Sequence, residues 1–252
     1  MDPEVEVGPV DEMPSGTTAE NPPESLAELA DPGGIIFDLD GTLVDTVATR
    51  IQAWTDTFDQ VGFKVERDHL AGLIGADGKR LAREVAEIGG RRLSDDRAEA
   101  MDRRAGERYD ELNTDPLPLP GALELMRALQ GSSLPWAIAT SSRAEQVTVS
   151  VKAIGISDEA HIVDGSQVTQ AKPAPDLLLA AAEKLGVPSH RCWYVGDATW
   201  DVRAARAAGM AAIGVTTGAV SADALRAAGT RIVAESLGEI QADLMRRGLL
   251  AR

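Results

Sequence analysis

The sequence has 252 residues, of which 44% are hydrophobic, and it carries a net charge of −15 at pH 7. This length suits one large α/β domain or two modest ones, and the acidic balance argues against nucleic acid as a partner. One cysteine excludes an internal disulfide and no stretch approaches the roughly 18 apolar residues of a membrane span, so we expect a cytoplasmic protein with no membrane attachment and no evident obligate protein partner.

Residues 1–33 differ in composition from the rest of the chain. They contain nine Asp or Glu, no Lys or Arg, and six of the 13 prolines. A segment of this kind cannot bury enough apolar surface to offset the entropy lost on ordering. We therefore predict a disordered acidic tail, although residues 25–29 could form a helical turn that docks.

The first predicted strand, 34–37, ends in two carboxylates and a glycine turn, Asp38-Leu39-Asp40-Gly41. In a strand, the i, i+2 spacing places both carboxylates on the same side. Two such groups repel each other in a dry site unless a cation or a proton neutralises them, so they predict a divalent metal or an acid/base pair. The alternative is a polar turn after a buried strand.

Between Asp45 and Pro116 apolar residues recur at helical spacing, and no strand is needed to explain the pattern. We predict a small all-helical insertion over residues 49–116, here called the cap. It would interrupt a core formed by 34–48 and 117–252. The proline-rich stretch 115–121 would form a stiff return into the core, because proline blocks helix continuation.

After the insertion, helices alternate with short apolar strands, which implies a parallel sheet with helices on both faces. The predicted strands cover 135–139, 161–164, 191–195, 211–215 and 231–234, and the predicted helices cover 123–130, 144–154, 176–185, 201–208 and 237–247. Polar groups follow several strands at their carboxyl ends, which meet at one edge of such a sheet. The groups expected to meet there are Asp38, Asp40, Thr140, Lys172, Asp197 and Asp201.

The order and spacing of these segments resemble the four motifs of the haloacid dehalogenase superfamily of aspartate-nucleophile phosphohydrolases. The motifs are Asp38 to Thr42, Thr140, Lys172 with Pro173, and Gly196 to Asp201. The resemblance covers nearly all of residues 34–235. It implies an α/β fold with a Rossmann-like parallel core and a helical cap inserted after the first motif.

The resemblance implies a role for each motif residue. Asp38 would be the nucleophile, forming an aspartyl-phosphate. Asp40 would act first as general acid and then as base, which requires a pKa well above about 4. Neighbouring negative charge and partial burial are expected to raise it. Thr140 and Lys172 would contact the phosphoryl oxygens.

The implied cofactor is Mg²⁺, a hard cation that prefers oxygen ligands. Asp38, Asp197 and the backbone carbonyl of Asp40 would hold it, and Asp201 would orient a metal-bound water. The implied partner is a small-molecule phosphate ester. Candidate substrate-binding residues, chosen from position, are Gly41, Ser141, Ser142, Arg50, Lys79 and Arg80.

Within the superfamily the sequence resembles the phosphoglycolate phosphatase and β-phosphoglucomutase branch. A phosphomutase is the first alternative to hydrolysis, but mutases of this branch carry a histidine where this chain has Arg50. A phospho-aspartate signalling module without turnover is the second. Such modules do not place the aspartate on the first strand before an insertion of about 70 residues, and they are about half this length.

Overall fold

The computed structural model describes residues 23–156 and 161–251. The strands in these residues are β1 (Gly34–Phe37), β2 (Val44–Asp45), β3 (Leu117–Pro118), β4 (Trp136–Ala139), β5 (Ile162–Val163), β6 (Cys192–Gly196), β7 (Ala211–Val215) and β8 (Ile232–Ala234). Six of them form one parallel sheet in the order β5-β4-β1-β6-β7-β8. Strand β1 is central: Ile36 lies opposite Ala137 of β4 and Tyr194 of β6.

The helices in the described residues are α1 (Val47–Gln60), α2 (Arg67–Leu73), α3 (Gly78–Ile88), α4 (Asp95–Leu112), α5 (Ala122–Gln130), α6 (Ala144–Ala153), α7 (Asp176–Leu185), α8 (Thr199–Ala207), α9 (Ala222–Ala228) and α10 (Leu237–Arg246). Helices α5, α6 and α10 share an apolar cluster with one face of the sheet. Helices α7 and α8 do so with the other face. Burial on both faces explains why β1, β4 and β6 are apolar throughout.

The insertion is helical, as the sequence predicts, and consists of α1 to α4. Two of these helices begin at residues whose side chains cap the first turn. Asp77 accepts the backbone N–H of Arg80 at 2.9 Å, and Ser94 accepts that of Arg97 at 3.4 Å. The four helices enclose their own apolar cluster, which includes Ile51, Trp54, Phe58, Leu81, Val85 and Met101.

A two-stranded antiparallel ribbon of β2 and β3 joins the cap to the core. These strands and α9 are not predicted from the sequence. The backbone N–H of Leu119 also bonds to the carbonyl of Leu43, at 2.9 Å. The first cap helix starts at Val47, two residues before the predicted start of the cap at residue 49. The limits of the two domains stay a prediction.

The cap contacts the core directly. The indole N–H of Trp200, in core helix α8, donates to the carbonyl of Gly72 at 3.0 Å. The side chains of Trp200 and Ala198 belong to the apolar cluster of the cap. The backbone N–H of Asp77 also bonds to the carbonyl of Lys172, at 3.2 Å. The two parts are therefore closed against each other in this structure.

The segment before β1 differs from the prediction where it is described. Residues Leu26–Glu28 form a 3₁₀ turn, and the Leu26 side chain is buried in the core. Arg247 fixes this turn by donating to the carbonyl of Leu29 at 2.9 Å and to the Asp31 carboxylate at 2.6 Å. The prediction that none of the tail joins the core is wrong for this turn. The rest of the predicted tail, residues 1–22, lies outside the described residues.

The predicted α/β class is confirmed, and the predicted core strands and helices agree with the observed ones to within two residues at their ends. Among the described residues, no helix combines the length and the apolarity needed to cross a bilayer. The polar residues at the carboxyl ends of β1, β4, β5 and β6 lie beneath the cap, and they form the site described next.

Candidate active site

Four charged residues at the carboxyl ends of the central strands form what we call the acidic floor: Asp38, Lys172, Asp197 and Asp201. Each is at least 95% buried. The ammonium of Lys172 lies 2.9 Å from a carboxylate oxygen of Asp201 and makes a short contact with Asp38. Oxygens of the three carboxylates lie within 4.8 Å of one another. The structure therefore brings together residues from three of the sequence motifs.

Asp197 is held by residues that the sequence analysis did not single out as ligands or supports. The Thr42 hydroxyl donates to its carboxylate at 2.7 Å. A Cβ at Gly218 would lie 1.7 Å from a carboxylate oxygen of Asp197, so only glycine fits there without a rearrangement. A Cβ at Gly41 would lie 2.5 Å from the same oxygen, and Gly41 has a φ of +83°, a conformation that favours glycine. The absence of a side chain at Gly41 thus leaves room for the Asp197 carboxylate, and the contact of Gly41 with substrate stays a prediction.

Asp201 is bonded on both carboxylate oxygens. One accepts the hydroxyl of Tyr194 at 3.1 Å and the ammonium of Lys172, and the other accepts the backbone N–H of Ala198 at 2.9 Å. Tyr194 also donates to the carbonyl of Ala139 at 3.3 Å. It comes from the middle of β6, where the sequence alone indicates only an apolar strand.

The buried charges of the floor are not balanced. Burial raises the pKa of Asp38 to about 7, although the Lys172 charge opposes the shift. Burial and the charges of Asp201 and Asp38 raise the pKa of Asp197 well above its usual range. Burial lowers the pKa of Lys172, but the neighbouring carboxylates outweigh it and keep the ammonium charged. Three carboxylates face one ammonium, and a divalent cation would supply the missing positive charge.

The donor set fits a hard divalent cation. Asp38, Asp197 and Asp201 each offer a carboxylate oxygen, and oxygen-rich sites of this kind are typical of Mg²⁺. Asp201 already has three protein partners, whereas the only side-chain donor recorded for Asp197 in the described residues is Thr42. Asp38 and Asp197 are therefore the better candidates for direct ligands.

Asp40 lies apart from the floor and faces the cap. One carboxylate oxygen accepts the hydroxyls of Thr46 at 2.7 Å and Tyr109 at 3.1 Å. The other accepts the guanidinium of Arg50 at 3.1 Å and the hydroxyl of Ser142 at short distance. Its carboxylate is not part of the acidic triad.

These partners reverse the expected pKa shift of Asp40. Burial raises the pKa, but the charge of Arg50 and the hydrogen bonds from Ser142, Thr46 and Tyr109 outweigh it and lower the pKa. The prediction of a raised pKa is therefore wrong in this arrangement. It neglected Arg50 and Tyr109, which the cap helices bring to the carboxylate.

Arg50, a predicted substrate contact, is engaged with the protein. Besides Asp40, its guanidinium contacts the hydroxyl of Ser142 and donates to the side-chain carbonyl of Gln146 at 3.2 Å. It also lies 3.5 Å from the ring centroid of Tyr109, a cation–π geometry. Tyr109 and Gln146 were missed, since an aromatic residue in a helical pattern indicates only core packing.

Thr140 and Ser141 follow β4, as predicted. Thr140 is buried, and its hydroxyl oxygen accepts the backbone N–H of Ser142 at 3.1 Å. It does not cap the next helix, because α6 begins after Arg143. The Ser141 hydroxyl reaches the carbonyl of Gly75 in the cap at 3.4 Å. Both residues border the cavity that contains Asp38.

That cavity has a volume of about 250 Å³ and lies between the acidic floor and the cap. Of the cap cations predicted to reach the substrate, Arg50 and Lys79 border it. Arg80 is not among the residues bordering it. Its guanidinium pairs with Glu84 at 2.9 Å and stacks on the Trp200 ring, 4.9 Å from the centroid.

Comparison with known proteins gives a consistent picture. A sequence model for the haloacid dehalogenase-like hydrolases matches residues 35–215. Over 184 residues the chain is 31% identical to fructose-1-phosphate phosphatase YqaB of Escherichia coli, covering 72% of this chain and 95% of that protein. It is 30% identical to β-phosphoglucomutase of Bacillus subtilis over 190 residues, covering 73% of this chain and 83% of that protein.

Two further similarities differ in extent. The chain is 32% identical over 206 residues to the chloroplastic protein SUPPRESSOR OF QUENCHING 1 of Arabidopsis thaliana, but spans 19% of its length. A solved structure of a hydrolase from Pseudomonas syringae superposes with a TM-score of 0.78 at 33% identity, covering 84% of this chain and 96% of that one. The similarity to the latter extends over both the sheet and the cap.

Proposed function

The chain belongs to the haloacid dehalogenase-like hydrolases, and we propose that it is a Mg²⁺-dependent phosphatase acting on a small phosphate ester, such as a sugar phosphate or a phosphoglycolate-like compound. The reaction would proceed through an aspartyl-phosphate on Asp38. The observation that carries the proposal is the short contact of the buried Lys172 ammonium with Asp38, at the base of a cavity that Asp38 borders.

In the first half-reaction, an oxygen of Asp38 attacks phosphorus and the bond from phosphorus to the leaving oxygen breaks. The leaving oxygen receives a proton from Asp40. Lys172 supplies positive charge beside the attacked phosphoryl group, where negative charge develops on the equatorial oxygens. The hydroxyl of Thr140 borders the same cavity and is available to these oxygens.

In the second half-reaction, water attacks the phosphorus of the aspartyl-phosphate. Asp40 accepts the proton of this water, and the bond between phosphorus and Asp38 breaks to release inorganic phosphate. The observed state of Asp40, an ionised carboxylate with four donors, corresponds to this base form. To act as acid, Asp40 must first be protonated. The positive charge of Arg50 opposes this protonation, so its effect on Asp40 must weaken before the first half-reaction.

A divalent cation held by Asp38 and Asp197, with support from Asp201 and the backbone carbonyl of Asp40, would neutralise part of the phosphoryl charge. The charges of the three floor carboxylates, Lys172 and the cation would then add to about zero. The incoming phosphate would therefore not be repelled by the floor. The buried position of Asp197 and its fixation by Thr42 keep this ligand in place before metal arrives.

A phosphomutase is the second candidate, because one relative is named β-phosphoglucomutase. A mutase must protect the aspartyl-phosphate until a sugar returns, whereas a phosphatase must admit water. At the position where such mutases carry a histidine, this chain has Arg50, whose guanidinium stays charged and pairs with Asp40. This favours hydrolysis.

The test compares the wild type with Asp38→Asn on a panel of phosphorylated metabolites, with and without Mg²⁺. Loss of the nucleophile should lower kcat by about 10⁴-fold or more while the fold is retained. Asp96→Asn, which changes an exposed carboxylate of the cap, is the matched control. Activity retained in Asp38→Asn would refute the proposal.

The same preparation separates hydrolysis from mutase activity. With β-glucose 1-phosphate, with and without glucose 1,6-bisphosphate, we expect inorganic phosphate as the main product. Glucose 6-phosphate formed faster than inorganic phosphate would support the mutase alternative instead.

A further inference from the structure

The cations that border the cavity are already paired. Apart from Lys172 in the floor, the cationic residues around the cavity are Arg50, Lys79 and Arg143. Arg50 lies 3.1 Å from Asp40, and Lys79 lies 3.5 Å from Glu99. Thus each of these cations has a carboxylate of the protein within ion-pair distance before any substrate enters.

Glu99 pairs with two of these three cations, Lys79 and Arg143. Its carboxylate oxygens lie 3.5 Å from the ammonium of Lys79, on the cap, and 3.0 Å from the guanidinium of Arg143, on the core. Arg143 also pairs with Asp102, one turn further along α4. Glu99 and Asp102 therefore connect the cap to the core across the opening of the cavity.

The Asp102 carboxylate is built into the wall of the cavity. A Cβ at Gly78 would lie 1.9 Å from one of its oxygens, so the start of α3 approaches Asp102 as closely as it does because residue 78 has no side chain. The carboxylate is also mostly buried. The Asp102 carboxylate is therefore a fixed part of the cavity wall rather than an incidental surface group.

The count of charges around the cavity above the floor is negative. Asp40, Asp77, Glu99 and Asp102 border the cavity, against the three cations Arg50, Lys79 and Arg143. A carboxylate or a second phosphate on the leaving group would find no bordering cation without a carboxylate partner among the described residues. While Asp40 is ionised, before it gains the proton for the leaving oxygen, such a group would also face an excess of one negative charge. A hydroxyl group, in contrast, can donate a hydrogen bond to a carboxylate.

We infer that this site selects phosphate monoesters whose leaving group is uncharged and polyhydroxylated, and that Glu99 enforces the selection by neutralising Lys79 and Arg143. The inference rests on the proposed function and narrows its substrate class. It disfavours leaving groups that carry a carboxylate, such as that of phosphoglycolate, and those that carry a second phosphate.

The experiment uses pairs of esters that differ by a carboxylate in place of a hydroxymethyl group: glucitol 6-phosphate against 6-phosphogluconate, and glycerol 3-phosphate against 3-phosphoglycerate. With Mg²⁺ at low ionic strength, we expect kcat/KM to favour the neutral member of each pair by about tenfold or more, as one unscreened charge contact allows. Equal rates, or a preference for the acidic member, would overturn the inference.

Two variants test the role of Glu99. In Glu99→Gln, Lys79 and Arg143 lose a shared partner, and we expect the preference for the neutral ester to shrink several-fold. Glu111→Gln makes the same change on the same helix, where the exposed carboxylate pairs with Arg108 at 2.7 Å, and should leave the preference unchanged. An equal shift in both variants would contradict the assignment to Glu99.

Binding distinguishes a failed inference from a failed function. If no ester is hydrolysed, the proposed phosphatase activity is refuted, and the same pairs are then compared by the rise in Tm that each ester causes. A larger rise with the neutral members, reduced in Glu99→Gln, supports the inference by itself. An equal or larger rise with the acidic members overturns it.

Discussion

The acidic floor and the cap wall, the side of the cavity formed by Arg50, Lys79, Glu99, Asp102 and Tyr109, both depend on ion pairs but place them in different surroundings. In the floor, Lys172 and Asp201 are 2.9 Å apart and almost fully buried. At the wall, Glu99 lies 3.0 Å from Arg143 of the core, and about two-fifths of each side chain is exposed. The distances are nearly equal, and the surroundings decide the energetics.

Exposed pairs are screened by water and salt and contribute little stability, typically 0 to about 1 kcal/mol. A buried pair is different, because removing one partner leaves an uncompensated charge in a dry site. The floor should therefore tolerate almost no change, whereas the exposed pair of Glu99 and Arg143 can be altered at little cost in stability. The residues proposed for catalysis therefore lie where substitutions are costly in stability, and Glu99, proposed for substrate selection, lies where they are not.

The largest effect is expected from removing the floor cation. Lys172→Met keeps an unbranched side chain one atom shorter than lysine and leaves Asp38 and Asp201 without their shared ammonium. We expect kcat/KM to fall by about 10²–10³-fold or more and stability to fall by about 3–5 kcal/mol.

Lys152→Met, on the exposed side of α6, is the matched control and should change neither quantity. The measurements are steady-state kinetics with Mg²⁺ and urea unfolding. A stable, active Lys172→Met protein would show that the floor is no less tolerant than the wall.

The second prediction concerns pH and metal. The pKa of Asp38 is raised to about 7 and that of Asp197 is raised well above its usual range, so both carboxyls ionise more easily in the unfolded chain. Without divalent metal, their contribution to stability is present below an unfolded pKa of about 4 and is lost as the pH rises toward the folded pKa. A bound cation offsets this loss.

We therefore expect the rise in Tm caused by Mg²⁺ to be larger at about pH 8 than at about pH 5. Asp197→Asn removes one of the titrating carboxyls and should reduce both the rise and its pH dependence. A Mg²⁺ effect that is equal at the two pH values would argue against a metal held by the floor.

The third prediction compares one hydroxyl in each region. Tyr194→Phe removes a donor from Asp201 in the floor, and Tyr109→Phe, in the wall, removes one of the four donors to Asp40. A hydrogen bond to a charged group contributes about 1.5–3 kcal/mol. Since Asp40 keeps three donors, we expect kcat to fall less than tenfold in Tyr109→Phe and by more than tenfold in Tyr194→Phe.

The values of kcat are measured by steady-state kinetics under saturating Mg²⁺. A larger fall in Tyr109→Phe than in Tyr194→Phe would mean that the position of Asp40 limits the reaction more than the floor does. Both variants keep an aromatic ring at a buried position, so packing changes are small and comparable.

The smallest effect on activity is expected from deletions at the N-terminus. Deleting residues 2–22 should leave kcat and Tm unchanged, as their composition predicts. Deleting residues 2–32 removes the burial of Leu26, which contributes about 1.5–3 kcal/mol, together with the contacts to Arg247. We expect a lower Tm and an unchanged kcat. A loss of activity in either deletion would show that the segment acts on the site.

The sequence predicts the floor better than the wall, for a physical reason. Asp38, Asp197 and Asp201 each follow or lie near the carboxyl end of a strand, and parallel strands align these ends without further information. Their supports are harder to find. Position 218 requires glycine because the Asp197 carboxylate lies against it. This contact joins two segments separated in the chain, so no local sequence pattern predicts it.

The wall depends on how four cap helices pack over the sheet. Tyr109 lies in a stretch whose spacing predicts a helix, but that spacing does not show that its hydroxyl reaches Asp40. The prediction of a raised pKa for Asp40 is wrong because helical spacing does not show which cap side chains reach its carboxylate. Arg80 illustrates the opposite error: its position in the chain suggests the cavity, but its rotamer directs it to Glu84 and Trp200.

The seam between cap and core also gives the molecule an internal optical reporter. All four tryptophans are buried, and Trp200 is the one whose indole N–H bonds across the seam, to Gly72. Two guanidiniums, of Arg80 and Arg203, lie 4.9 and 4.8 Å from its ring. Separation of the cap would expose this indole to water and shift its emission to longer wavelength. A variant that retains only Trp200 would therefore report cap opening and closing during turnover in stopped-flow fluorescence, without an added label.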